Sequence, residues 1–216
     1  MGRKVSPLVL DTLDLLPEPC RRCVFWELAG RARPRGSEEA GLQKEAWLSS
    51  LVLEWGPAGH VLTVDGIPAG YSLFAPARFL EQVGVQAARP VSRDAVLLAA
   101  LAVAPGYEGQ GLGRVLLQTM ARDLTKRKVR AVEVFADRAW TGRDCHVPLG
   151  FLEASGFQIV REHPRYPLLR MDLRTALRWK DAREAALEAL RVPGASQPAL
   201  RPVPTAPPAP HPDNGR

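Results

Sequence analysis

The apolar positions along the chain change period several times, and each change marks an element. Ser37, followed by Glu38 and Glu39, caps a helix whose first-turn carboxylates suit its positive end. That helix carries Leu42, Ala46, Leu48 and Leu51 and should stop near Gly56. Residues 60–64 and 67–74 then read as two strands joined by Asp65-Gly66, a strong two-residue hairpin signal. A ten-residue apolar run from Ala95 to Ala104, closed by Pro105, fits a central strand, because the residue before proline favours extended backbone. Leu112, Leu116, Met120 and Leu124 fall on one helical face, with Lys126, Arg127 and Lys128 in the last turn, where cations suit the dipole. Residues 129–136 alternate like a strand, 148–155 form a short helix stopped by Gly156, and 157–160 and 168–173 are two further strands. The predicted order, β–α–α–β–β–β–α–β–α–β–β–α, is an α/β chain with a mixed sheet.

The pattern fades at both kinds of boundary. Residues 175–191 form an amphipathic helix with a stripe of Trp179, Ala182, Ala186, Ala189 and Leu190. Residues 192–216 hold eight prolines, and their only larger aliphatics are Val192, Leu200 and Val203. Such a segment buries too little apolar surface to offset ordering its backbone, so a disordered, partly polyproline II tail is expected. Gly30-Arg31-Ala32-Arg33-Pro34-Arg35-Gly36 reads as an exposed loop. The expected organisation is therefore one domain over 1–174, a helix over 175–191 and a proline-rich tail over 192–216.

Composition adds exclusions. The 216 residues are 46% hydrophobic and 24% charged, which excludes a wholly disordered chain. Three cysteines do not make a disulfide framework. No apolar run reaches about 18 residues, so a soluble cytoplasmic protein is expected, with no membrane partner. The net charge of +6 is small for a binder of duplex DNA, and nucleic acid is not expected as a partner.

Candidate chemistry concentrates between the long apolar run and the helix after it. There Gly109, Gly111 and Gly113 alternate, with Arg114 in the first helical turn. Glycine permits positive φ and close approach of a ligand to the backbone, and a helix N-terminus presents unpaired N–H groups. Together they form a phosphate cradle. The nucleotide P-loop needs Lys-Ser or Lys-Thr after its last glycine, and none follows here. The dinucleotide fingerprint G-x-G-x-x-G would need glycine at position 114 when counted from Gly109, and that residue is Arg114.

Val103-x-Pro105-x-x-x-Gly109-x-Gly111-x-Gly113-Arg114 resembles the pyrophosphate loop of the GNAT superfamily of acyl-CoA-dependent N-acetyltransferases. Phe151-Leu152-Glu153-Ala154-Ser155-Gly156-Phe157 is similar to that family's next signature, an aromatic-bearing helix ending in Gly-Phe. The resemblance implies a GNAT-like mixed, mostly antiparallel sheet flanked by helices. It implies acetyl-CoA as cosubstrate and direct attack of an amine on the acetyl thioester. The backbone of Leu101 and Val103 would pair with the pantetheine arm. The N–H groups of Gly109, Gln110, Gly111, Leu112, Gly113 and Arg114 would hold the pyrophosphate. The implied acceptor is an amine-bearing small molecule or peptide, and a homodimer is compatible with the family. Two positions depart from the family pattern: Glu108 stands where Arg or Gln is usual, and Leu152 where many members carry a tyrosine acid. A catalytically weak CoA-binding or sensing module is therefore the alternative function.

The groups left for proton transfer are few. Glu27, among Phe25, Trp26 and Leu28, is a candidate base that burial would activate; a solvated or salt-bridged helix glutamate is the competing reading. Glu133 alternates with Val132 and Val134 and is a weaker candidate. Cys20-x-x-Cys23 with Cys145-His146 invites a zinc reading, but adjacent ligands rarely both reach one tetrahedral ion, and no metal is expected. Cys145 precedes the helix that, by resemblance, flanks the thioester. It is the candidate acid or channel-lining thiol, at a helix start expected to favour thiolate. On this reading acetyl-CoA shields Cys145 and leaves Cys20 and Cys23 unaffected.

Overall fold

The strand-forming runs assemble into one sheet of eight strands in a computed structural model that describes residues 2–29, 36–140 and 145–174. All of these belong to the compact unit Met1–Lys180. The arginine loop at 31–35, the helix expected over 175–191 and the tail over 192–216 lie outside the described residues.

The chain opens with β1 (Arg3–Pro7), the single turn α1 (Leu10–Leu13) and the helix α2 (Glu38–Glu54). The strands β2 (Gly59–Val64), β3 (Ile67–Pro76) and β4 (Ala95–Val103) follow, then the helix α3 (Leu112–Lys126) and β5 (Ala131–Asp137). A two-residue strand β6 (Val147–Pro148), the short helix α4 (Leu149–Glu153), β7 (Gln158–Arg161) and β8 (Leu168–Asp172) complete it. The spatial order is β1-β2-β3-β4-β5-β8-β7, with β6 on β5. Only β4/β5 and β5/β6 are parallel, so the sheet is mixed and mostly antiparallel, as the pattern and the resemblance implied. The hairpin turns at Asp65 (φ 50°) and Gly66 (φ 84°), both left-handed, as a primed two-residue turn requires.

Helices cover both faces. On one, Leu117, Met120 and Leu124 of α3 pack with Val96, Leu98, Val132 and Val134, and Leu112 and Leu116 with Leu62 and Val64. The four residues at 112, 116, 120 and 124 are at most 1% exposed, and burial of each stabilises the fold by about 1.5–3 kcal/mol. On the other face, Leu48 and Leu51 of α2 pack with Trp26, Tyr71, Leu73, Leu97 and Phe135.

The capped start of α2 is as expected, with the Ala40 N–H donating to Ser37 Oγ at 3.1 Å. Its phase is not. Leu42 is 67% exposed and Ala46 is also exposed, whereas Ala40, Lys44, Leu48 and Leu51 point inward. A buried lysine sits on the apolar stripe, and Lys44 fixes the rotation of the helix through an ion pair described below.

His60 on β2 lies under α3, with Nε2 3.6 Å from Asp123 Oδ2 and no partner for Nδ1 among the described residues. Burial pushes its pKa below the ordinary value and outweighs the opposing pull of Asp123. The unfolded chain therefore takes up this proton at higher pH than the folded one does. The stability involved is fully present above about pH 6.5 and falls as the pH drops below it. Thermal unfolding between roughly pH 7 and pH 5 should show a steeper loss of stability for the wild type than for His60→Gln. Parallel profiles would remove His60 from that loss.

Candidate active site

A bulge in β4 builds the opening of the site. Leu73 pairs with Ala100 and Phe74 with Leu98, so Ala99 is one residue too many for the β3 ladder. A bulge bends its strand and strengthens the local twist. The parallel pairing of β4 with β5 covers only Ala95–Ala131, Val96–Val132 and Leu97–Glu133, and it ends just before Ala99. Beyond that point the two strands part. The backbone of Leu101 and Val103 is held on its β3 side by Ser72 and Gly70 and, among the described residues, has no strand partner on its β5 side. These residues are also where β4 becomes partly accessible.

At the mouth of this fork the chain turns into α3. Gly109 (φ 72°) and Gly111 (φ 76°) are left-handed, and Gly111 is the N-cap of α3. Among the described residues, a Cβ at either position would meet nothing within 4 Å. The space over the turn is open, and left-handed backbone is what demands glycine there. No backbone acceptor among the described residues takes the N–H groups of Gly109, Gln110, Gly111, Leu112 or Gly113. The N–H groups of Arg114 and Val115 close back on Gly111 O, at 3.1 and 3.2 Å. Gln110 stays over the turn, its Nε2 donating to Gly106 O at 3.3 Å. Gly113 has a different reason to lack a side chain, since a Cβ there would lie 3.2 Å from the Phe151 ring. The glycines divide, two shaping the turn and one admitting α4. An anionic pyrophosphate fits this set of unclaimed donors at a positive helix end. Leu152 of α4, which stands where many family members carry a tyrosine, is fully buried.

On the α2 face of the fork is a small cavity, with room for about one water molecule. It is lined by Cys20, Cys23, Glu27, Lys44, Tyr71 and Cys145 together with Phe25, Trp26, Leu73 and Ala100. Glu27 and Cys145, two candidates far apart in the sequence, thus line one cavity beside β4. Glu27 lies in a turn rather than a helix and is 3% exposed. Its Oε1 accepts from the Lys44 ammonium, which also donates to Cys23 O at 3.1 Å. The salt-bridged half of the competing reading therefore describes Glu27, while the helical half does not. Glu133 is elsewhere. It is fully buried, accepts from the Ser92 N–H at 2.9 Å, and pairs at 3.2 Å with Arg170, its neighbour across the β5/β8 ladder.

The thiols behave differently from expectation. α4 starts only at Leu149, with the strand β6 between it and Cys145, so the thiol is not in the first turn of a helix. Cys145 Sγ lies 3.7 Å from Cys23 Sγ. That hydrogen bond, first, and then burial push the Cys145 thiol up, so it keeps its proton. Cys23 is pulled down to about 6, chiefly by the Cys145 hydrogen bond and further by the Phe25 N–H, against burial. The two thiols titrate as one hydrogen-bonded pair, in which one sulfur donates to the other. All three thiols line the one cavity. Burial raises Cys20, which is hydrogen-bonded to Tyr71. Tyr71 itself is held well above its usual value by burial and stays protonated. Among the described residues, no group of three or more His, Cys, Asp or Glu side chains is arranged to hold a metal ion. His146 packs instead among aromatic rings, stacked on Tyr166 at 4.3 Å and edge-on to Trp26 at 5.3 Å.

Tyr71 and Lys44 were not singled out in the sequence. Tyr71 stands in an ordinary alternating strand, and Lys44 among the charges of a surface-type helix, so neither carries a local signal.

Residues 23–151, more than half of the chain, match the family profile described as the Acetyltransferase (GNAT) family. The chain belongs to the GNAT acetyltransferase family. Solved structures share its fold. yncA of Salmonella typhimurium, solved with its cofactor acetyl-CoA, aligns with TM-score 0.57 at 16% identity over 80% of this chain and 95% of that one. An N-acetyltransferase of Staphylococcus aureus Mu50 gives 0.55 at 11% identity, covering 80% and 99%. The loading GNATL domain of CurA from Lyngbya majuscula gives 0.52 at 14%, covering 81% and 100%. At these identities the likeness concerns the fold. No curated protein sequence matches the chain. No helix among the described residues is long and apolar enough to cross a membrane.

Proposed function

We propose that the chain transfers an acetyl group from acetyl-CoA to an amine. The observation that carries this reading is the fork between β4 and β5 beside a glycine turn with unclaimed N–H donors. The open N–H groups from Gly109 to Gly113 bind the pyrophosphate, with the Arg114 side chain adding charge. The free backbone edge at Leu101 and Val103 pairs with the pantetheine arm and directs N–H groups at the developing oxyanion. The acceptor amine attacks the thioester carbonyl carbon and the C–S bond breaks. Glu27 receives the proton lost by the amine, and Cys145 protonates the departing thiolate. A thiol held in its protonated form suits that second role better than a thiolate would. The acceptor is an amine on a small molecule or a peptide.

The test is acetyl-CoA turnover against a panel of primary amines, with released CoA resolved by chromatography so that protein thiols do not interfere. At least one amine should release CoA at a saturable rate. Cys145→Ala should lower that rate roughly 100-fold, the scale of acid–base catalysis, with little change in KM for acetyl-CoA. Tight binding of acetyl-CoA with no turnover on any amine would replace this reading with that of a CoA-binding or sensing module.

A further inference from the structure

The cavity holds more sulfur than acetyl transfer needs. Three free cysteines line it, and two of them, Cys23 and Cys145, touch at 3.7 Å although 122 positions apart in the chain. A disulfide requires the sulfurs to approach to about 2.05 Å. From 3.7 Å, that is a small side-chain adjustment of two residues that each stand in irregular backbone. Cys20 has a different neighbour, the Tyr71 hydroxyl.

We propose that Cys23 and Cys145 are a modification site, closing to a reversible disulfide when the protein meets a hydroperoxide. Cys23 is the attacking sulfur. The Phe25 N–H hydrogen-bonds to it and Cys145 Sγ lies in hydrogen-bond contact at 3.7 Å, against the opposing charge of Glu27 and burial. The Cys23 thiolate attacks the terminal peroxide oxygen, the O–O bond breaks, and the alkoxide or hydroxide takes up a proton. Cys23 is then a sulfenic acid, and the peroxide has been reduced to an alcohol or to water. Cys145 attacks the Cys23 sulfur, the S–S bond forms and the S–O bond breaks. The departing hydroxide leaves as water with the Cys145 proton. The two cysteines together lose two electrons and the peroxide gains two. The bridge fastens the loop before β6 to the segment before α2 across the cavity, and it removes the Cys145 proton. That last consequence, loss of the acid, rests on the proposed acetyl transfer; the bridge itself rests on the sulfur geometry.

The test uses the full reduced chain, treated with hydrogen peroxide and then blocked, digested without reductant and mapped by mass spectrometry. The expected result is a linked peptide pair carrying Cys23 and Cys145, a fall from three titratable thiols to the single thiol of Cys20, and full recovery with dithiothreitol. Cys20→Ser should form the same linkage, and Cys23→Ser should not. A Cys20–Cys23 linkage, three surviving thiols, or Cys23 found as a sulfinic acid without a bridge would each overturn the proposal. The mapping needs no turnover, so it can fail while acetyl transfer stands. Turnover of the reduced protein can equally fail while the bridge forms.

Discussion

Lys44→Met should lower the melting temperature by roughly 6–20 °C, corresponding to about 3–5 kcal/mol in a chain of this size. Lys44 and Glu27 side chains are 4% and 2% exposed, so both charges are shielded from bulk water. Removing the ammonium leaves a buried carboxylate without its counter-charge and frees Cys23 O, which Lys44 also holds. Most of the loss comes from that stranded carboxylate, because an intact buried pair adds little beyond its own desolvation cost. The double variant Glu27→Leu, Lys44→Met should therefore recover much of the stability that Lys44→Met loses. Thermal unfolding of the three proteins checks this. A double variant no more stable than Lys44→Met would assign the loss to packing around α2 instead of charge.

Gly111→Glu should cost at least ~100-fold in affinity for CoA, about 2.7 kcal/mol. Two effects act together. Gly111 has φ 76°, where a side chain brings strain of order 1–3 kcal/mol. The new carboxylate would also stand at the positive end of α3, where an anion is proposed to bind, and like charges repel. Gly111→Ala separates the two, carrying the strain without the charge, and should bind CoA with an intermediate affinity. Calorimetric titration of both folded variants with CoA gives the measurement. Unchanged affinity in Gly111→Glu would move the pyrophosphate elsewhere.

Much of this molecule was legible in the sequence wherever a local rule operates. The Asp65-Gly66 turn, the capped start at Ser37, the α3 stripe and the strand ending before Pro105 all follow from neighbours within a few positions. The glycine turn was legible for the same reason. The α2 phase was not, because a lysine normally marks the solvent face and Lys44 is buried by a partner 17 positions away. The environment of Cys145 was misread because the short helix begins at Leu149, close to where the pattern put it, but with a strand between it and the thiol. What lowers a thiol here is another thiol 122 positions distant, which no spacing in the sequence reports. Tyr71 was missed because strand alternation tells which face a residue takes and not what waits on it.

Alternation along β4 breaks at Ala99. Leu97, Ala99 and Ala100 belong to the α2 side of the sheet, Leu98 and Leu101 to the α3 side, so the side chains of β4 break step once and then resume it. Removing Ala99 on paper restores strict alternation and leaves every other β4 side chain on its present face. The core would hardly register the omission, since an alanine methyl is the only group withdrawn. The cleft would register it fully, for an even β4 has no cause to lean away from β5. The surplus methyl is dispensable to packing. The surplus peptide is what separates an open fork from a sheet that closes.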